Sequence, residues 1–166
     1  FQPRENDLFF VVQGNVRSPF DALLFPNATD ELAVDLQHRP NGVTVAFSKP
    51  TEEIYEPPVA SNTWSNPETW LKDIPDSLDI VNLTKTTPGN QILTVDTNAF
   101  VHQAMLRSSP ALSGDLTMYI PPRQNWSATH HVRVGTNSNI RVGGGNFYAG
   151  GDVIIDGEKN AAFHLF

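Results

Sequence analysis

Residues 31–47 read ELAVDLQHRPNGVTVAF, and this stretch sets the first expectation for the fold. Leu32, Val34 and Leu36 alternate with polar residues and so share one face of an extended chain; Val43, Val45 and Phe47 do the same beyond the turn. Asn41-Gly42 lies between the two runs, and both residues tolerate the positive φ that a two-residue hairpin turn needs. The reading is a β-hairpin, two antiparallel strands each with one buried face.

Similar segments recur along the chain. Leu8 to Val12 (LFFVV) reads as a buried strand, and Phe20 to Phe25 as another ending at Pro26-Asn27. Ile54 to Pro58, Leu78 to Leu83, Ile92 to Val95, Leu116 to Ile120, Thr129 to Val134, Ile140 to Val142, Val153 to Ile155 and Ala162 to Phe166 follow. Asp156-Gly157 marks a second expected hairpin. Asn66-Pro67-Glu68-Thr69 carries an N-cap residue, a proline at the first helical position and an early acid, the signature of one or two helical turns. Asn98 to Leu106 is ambiguous between helix and strand. About nine or ten short strands, with turns at roughly 8–12-residue spacing, is the pattern of a sandwich or barrel. The expected fold is therefore all-β, an antiparallel sandwich or barrel of jelly-roll or immunoglobulin-like type, with at most one or two short helices. No internal repeat or linker is visible, so residues 1–166 are read as one domain.

Thirteen Pro and eleven Gly support many short elements, and ten Phe supply the large apolar anchors. Net charge is −7, from 11 basic and 18 acidic residues. The arginines are scattered, so the clustered basic footprint of nucleic-acid binding is missing, and an anionic membrane is disfavoured for the same reason. No apolar run approaches the roughly 20 residues that span a bilayer. Cysteine is absent, which excludes thiolate metal sites and cysteine nucleophiles. The chain opens on Phe1 without a signal-peptide pattern, and is read as a processed or excised part of something longer.

No motif carries catalysis. The run Gly143 to Asp152 (GGGNFYAGGD) lacks the lysine and helix context of a phosphate loop, and reads as a hairpin loop displaying Phe147 and Tyr148. His130-His131 point to opposite faces of a regular strand and cannot chelate one metal together. Ser113, Asp115 and the histidines lack the nucleophile elbow that would make a hydrolase specific. Sequons begin at Asn27, Asn82 and Asn125 and permit a secreted life. Trp126, Arg123 and Tyr119 are read as a contact or sugar-stacking patch; Phe147, Tyr148 and Trp64 are the other binding candidates. No catalytic residue, metal site or cofactor is expected.

Leu116 to Arg123 (LTMYIPPR) and Asn98 to Met105 (NAFVHQAM) resemble stretches common in capsid proteins of small non-enveloped RNA viruses. The resemblance is one of texture and covers the chain thinly. It implies a protruding domain on the virion surface, non-enzymatic, contacting its own copies as a homo-oligomer and attaching to a host receptor or glycan. The alternative is a secreted, lectin-like carbohydrate-binding β-sandwich, and the third reading is a hydrolase on a β scaffold.

Overall fold

A computed structural model describes residues 3–13, 29–57, 59–156 and 160–166. The chain is all-β, but most of its strands pair in parallel and wind into a solenoid. The expected antiparallel sandwich or barrel is thereby overturned.

A small antiparallel sheet comes first. Its strands are β1 (Leu8–Gln13), β2 (Ala33–Arg39) and β3 (Gly42–Ser48), in the order β1-β3-β2. The expected hairpin is the β2–β3 pair, but Arg39 faces Gly42, so the two loop residues are Pro40-Asn41. Val34, Val45 and Phe47 form a small core of their own, with Leu32 packed against it. The segment read as a buried strand, β1, is an exposed edge: Leu8, Phe10 and Val11 are each more than half exposed. Phe20 to Phe25 lies outside the described residues.

The remaining strands stack into three parallel sheets. Sheet I contains β4 (Thr51–Ile54), β6 (Asp79–Lys85), β9 (Gln103–Ser108), β12 (Val132–Val134) and β15 (Val153–Ile155). Sheet II contains β5 (Ser61–Thr63), β7 (Gln91–Thr94), β10 (Leu116–Ile120), β13 (Ser138–Val142) and β16 (Ala162–Leu165). Sheet III contains β8 (Ala99–Val101), β11 (Asn125–Ala128) and β14 (Asn146–Ala149). The three middle coils visit I, then II, then III; the first and the last contribute strands to I and II alone among the described residues, and each coil lays its strands directly on the one before.

Side chains alternate in and out along each strand, so every inward position becomes a ladder running along the solenoid. On sheet I the ladders are Glu53–Val81–Ala104–Val132–Val153 and Leu83–Leu106–Val134–Ile155. On sheet II, Asn62–Leu93–Met118–Ile140–Phe163 runs beside Ile120–Val142–Leu165. Sheet III contributes Ala99–Trp126–Phe147 and Val101–Ala128–Ala149. Their apolar members from Val81 to Val142, with Phe147, Ala149 and Phe163 packed against them, make one continuous core.

The corners explain several misreadings. Thr129 to Val134 is not one strand; residues 129–131 turn the corner between β11 and β12. Asn98 to Leu106 is neither one helix nor one strand but β8 and β9, with His102 at the bend between them. The glycine-rich run is two corners flanking β14, not a hairpin loop. A Cβ on Gly145 would meet Pro121 O at 2.4 Å and Gln124 O at 2.6 Å, so the preceding coil passes too close for any side chain there. β15 and β16 belong to different sheets, so no hairpin joins them at Asp156-Gly157. The expected helical turn is a single 3₁₀ turn, Pro67–Thr69, capped by Asn66, whose side chain accepts from the Glu68 N–H.

Two polar devices brace the coils. Asn98 Oδ1 accepts from the Asn125 N–H at 3.0 Å, and Asn146 Nδ2 donates to Asn125 Oδ1 at 2.7 Å, an asparagine ladder beside sheet III. Asn125 is thereby buried and committed to packing, and its sequon is not available for a glycan in the folded chain. Lys85, 1% exposed, donates from Nζ to Ser113 O at 2.5 Å and Gly114 O at 2.8 Å, pinning the loop before β10. Desolvation pushes its ammonium pKa down.

Leu106→Ala should lower stability by about 2–5 kcal/mol in urea titration, because Leu106 is fully buried between Leu83 and Val134. Gly145→Ala should cost about 1–3 kcal/mol through overpacking at the corner, read the same way.

Candidate functional site

Six residues were singled out by sequence as binding candidates, and the coils do not bring them to one surface. Trp126 points inward from β11 and is fully buried. Its ring stacks on Phe147 at 5.2 Å and 13°, and meets Trp64 edge-on at 6.3 Å. Trp64 is 1% exposed and packs against Trp70 at 4.8 Å. Neither indole can stack on a ligand; they are the aromatic spine of the core. Phe147 continues that spine and meets Phe163 at 4.8 Å, packed against the core and only partly buried.

The other three lie outside. Tyr148 points away from the core on β14, half-buried. Tyr119 lies on the outer face of β10, and its ring fills the space over Gly143, where a Cβ would come within 2.6 Å of it. Arg123 is exposed in the turn between β10 and β11, with φ of 69°. Strand alternation sends Trp126 inward while Tyr119 and Arg123 stay out, so the expected three-residue patch does not form.

What the sequence reading missed is the end of the solenoid. Along one ladder Leu83, Leu106 and Val134 are each 0% exposed, and then Ile155 is 50% exposed. The neighbouring ladders end alike, with Val153 at 41% and Leu165 at 72%, and Phe166 follows at 80%. A groove of about 630 Å³ opens here, floored by Val142, Phe147 and Phe163 and walled by Val153, Ile155 and Leu165. Among the described residues β15 pairs only with β12, and β16 only with β13, so one edge of each strand carries unpaired backbone donors and acceptors. Among the described residues few charges interrupt this face, and Asp156 at its margin accepts a hydrogen bond from Arg133 Nε at 2.6 Å.

The opposite end is closed. Residues 69–71 run antiparallel to residues 54–56, just past β4, with Glu56 N donating to Thr69 O at 2.9 Å and Leu71 N to Ile54 O at 2.9 Å. Tyr55, Trp64 and Trp70 plug the first coil, and Trp70 Nε1 donates to Trp64 O at 2.9 Å. Burial pushes the Tyr55 hydroxyl pKa up to about 12 despite its contact with Asn62. The ladders begin on polar residues: Glu53 accepts from the Lys72 N–H at 2.8 Å, and Asn62 Nδ2 donates to Val59 O at 2.5 Å.

A second cleft, of about 540 Å³, lies on the outer face of sheet I. Glu52, Glu56, Asn82, Thr84 and Arg107 line it. Two pairs of its polar groups bond one another: Asn82 Nδ2 donates to Glu52, and Arg107 Nε donates to Thr84 Oγ1 at 3.2 Å. Its one aromatic, Tyr55, is 1% exposed, so it offers a sugar no stacking surface. Among the described residues no cluster of three or more acidic or histidine side chains is arranged to hold a metal ion.

Phe147→Ala should lower thermal stability clearly, by about 3–5 kcal/mol at a fully packed site and less at this partly open one, whereas Tyr148→Ala should leave it nearly unchanged. Equal effects of the two in a thermal melt would remove the distinction between the inner and outer faces of β14.

No protein-family model matches this chain, and neither a curated protein nor a solved structure matches it.

Proposed function

We propose that this chain is a non-enzymatic assembly module that joins end to end with a second copy through its open coil. One observation carries the reading: two ladders buried at 0% through three coils finish on Val153 and Ile155, 41% and 50% exposed, and Leu165 beside them is 72% exposed. Exposed apolar surface rimmed by unpaired strand edges is an association surface, since burial there gains hydrophobic energy and satisfies backbone groups together. A further β-strand is the occupant whose chemistry fits.

The second copy follows from the contrast between the two ends. The first coil is plugged by aromatics and its ladders begin on the buried polar residues Glu53 and Asn62, so among the described residues it presents no cut apolar ladder to match the last coil. The open end is the matching surface. Two such ends related by a two-fold axis are self-complementary, and a strand crossing that axis meets its own copy antiparallel. Among the described residues the groove lining carries no charged side chain, in a chain of net charge −7, which favours a meeting of two copies there.

The assembly class implied by the capsid resemblance is kept in this reading; the virion context gains no support from the comparisons. The lectin alternative loses Trp64 and Trp126 as stacking residues, and no observation favours the hydrolase.

Analytical ultracentrifugation tests the proposal. The expected particle is twice the 18.3 kDa chain, and Ile155→Asp combined with Leu165→Asp should return it to a monomer with an unchanged circular-dichroism spectrum. A chain monomeric up to about 1 mM, where association is worth no more than ~4 kcal/mol, would overturn it.

A further inference from the structure

The open end of the solenoid is a step, and the step has one unfilled place. Sheet I finishes on β15 and sheet II on β16, while sheet III finishes one coil lower, on β14. Among the described residues β14 pairs only with β11, and the groove opens above its free edge, with Val153 and Ile155 of β15 on one side and Leu165 of β16 on the other. The groove therefore occupies the position of one further sheet III strand. Its occupant must be extended, must bond to the β14 edge, and must turn apolar side chains inward at alternate positions over Phe147 and Ala149.

Strand heights decide which two-fold arrangement supplies that strand. A coil climbs one strand spacing, about 4.8 Å, so with the climb shared by three sheets each stands about 1.6 Å above the one before. β14, β15 and β16 are consecutive on this spiral, and β15 is midway in height between the other two. A two-fold axis through β15, perpendicular to sheet I, inverts the second copy, returns sheet I to itself and exchanges sheets II and III. The second copy's β15 then faces β15, its β16 comes down over β14, and its β14 over β16. Because β15 is midway, setting the β15 pair one spacing apart sets both β14–β16 pairs one spacing apart as well. An axis through β16 instead leaves β14 and β15 of the two copies two spacings apart, and an axis through β14 drives β15 and β16 into the same space. With the axis through β15 all three contacts are antiparallel, and every free strand edge at this end gains a partner.

We propose that two copies pair about an axis through β15, each lending its β16 to fill the sheet III position of the other. The inference rests on the end-to-end reading above and specifies its geometry.

In the register that overlaps the whole of β15, Ile154 faces its own counterpart and Val153 faces Ile155 of the second copy. Both inward ladders of sheet I then run on from one copy into the next. At the other two contacts Phe147 and Ala149 meet Phe163 and Leu165 of the second copy, all four being inward positions. Apolar surface is thus buried on apolar surface at each of the three contacts. One effect opposes the pairing: the same register sets Asp156 opposite Asp152 of the second copy, and like charges opposed across two strands repel. Arg133, which bonds Asp156 through Nε and a terminal guanidinium nitrogen, offsets part of that repulsion.

The cysteine-free chain makes the arrangement testable by cross-linking. Ile154 points outward, 40% exposed, so Ile154→Cys leaves the inner ladders intact. Across the axis two such cysteines have Cα atoms about 4.5–5.5 Å apart, within reach of a disulfide. Mild oxidation should convert this variant to a linked dimer on a non-reducing gel. Tyr148→Cys and His164→Cys lie on the outer faces of β14 and β16 and should not link to their own kind; mixed, they should be joined to each other by a short bismaleimide. Sedimentation of each variant is read alongside. A dimer whose Ile154→Cys chains stay unlinked, or whose His164→Cys chains link among themselves, overturns the axis through β15 and leaves end-to-end association standing. So does a dimer in which the mixed pair fails to join, which decides the matter independently of the Ile154 variant. A monomer overturns both.

Discussion

Parallel in-register stacking is the constraint on which the rest of this molecule depends. Each inward side chain must sit on its counterpart one coil below, at the strand spacing of about 4.8 Å. Nothing requires the coils to be equal in length. Glu53, Val81, Ala104, Val132 and Val153 stack in one ladder although they are 28, 23, 28 and 21 residues apart in the chain. The corners absorb the difference. The three-glycine corner before β14 is tight, and the loop before β10 is long enough to need Lys85 as an anchor.

A stack of coils also has two ends, and each end presents open strand edges and a cut core. This chain treats them differently. At the first coil the segment 69–71 runs beside residues 54–56 and three aromatics fill the opening. At the last described coil, the ladders stop on Val153, Ile155 and Leu165 in the open. The cohesion of the middle is therefore incomplete there, and the proposed end-to-end association rests on that asymmetry.

The antiparallel sheet stands apart from this stacking. Val34, Val45 and Phe47 form a small core of their own, and the turn that leads into β2 meets the coils at the histidine corner, where His102 Nε2 donates to Thr29 O and His130 contacts Asp30.

By itself the sequence determined the class of structure and most of the strands. Period-two alternation is local, and it located β3, β6, β7, β10, β13, β15 and β16 to within a residue or two. The 31–47 stretch was read correctly as a hairpin, yet it governs only the small sheet; extending its antiparallel logic to the whole chain was the error. Whether a strand pairs parallel or antiparallel depends on what lies beside it, and an alternating VRV or LTMYI satisfies both. The repeat was hidden because unequal coils and merely apolar ladders leave no fixed period to detect. Only the tertiary structure decided which tryptophans were core, since Trp126 and Tyr119 differ by a strand face whose inward side the sequence does not name. The histidine corner and the open end were invisible for the same reason. Both are made by residues from successive coils, and their neighbours exist only once the coils are stacked.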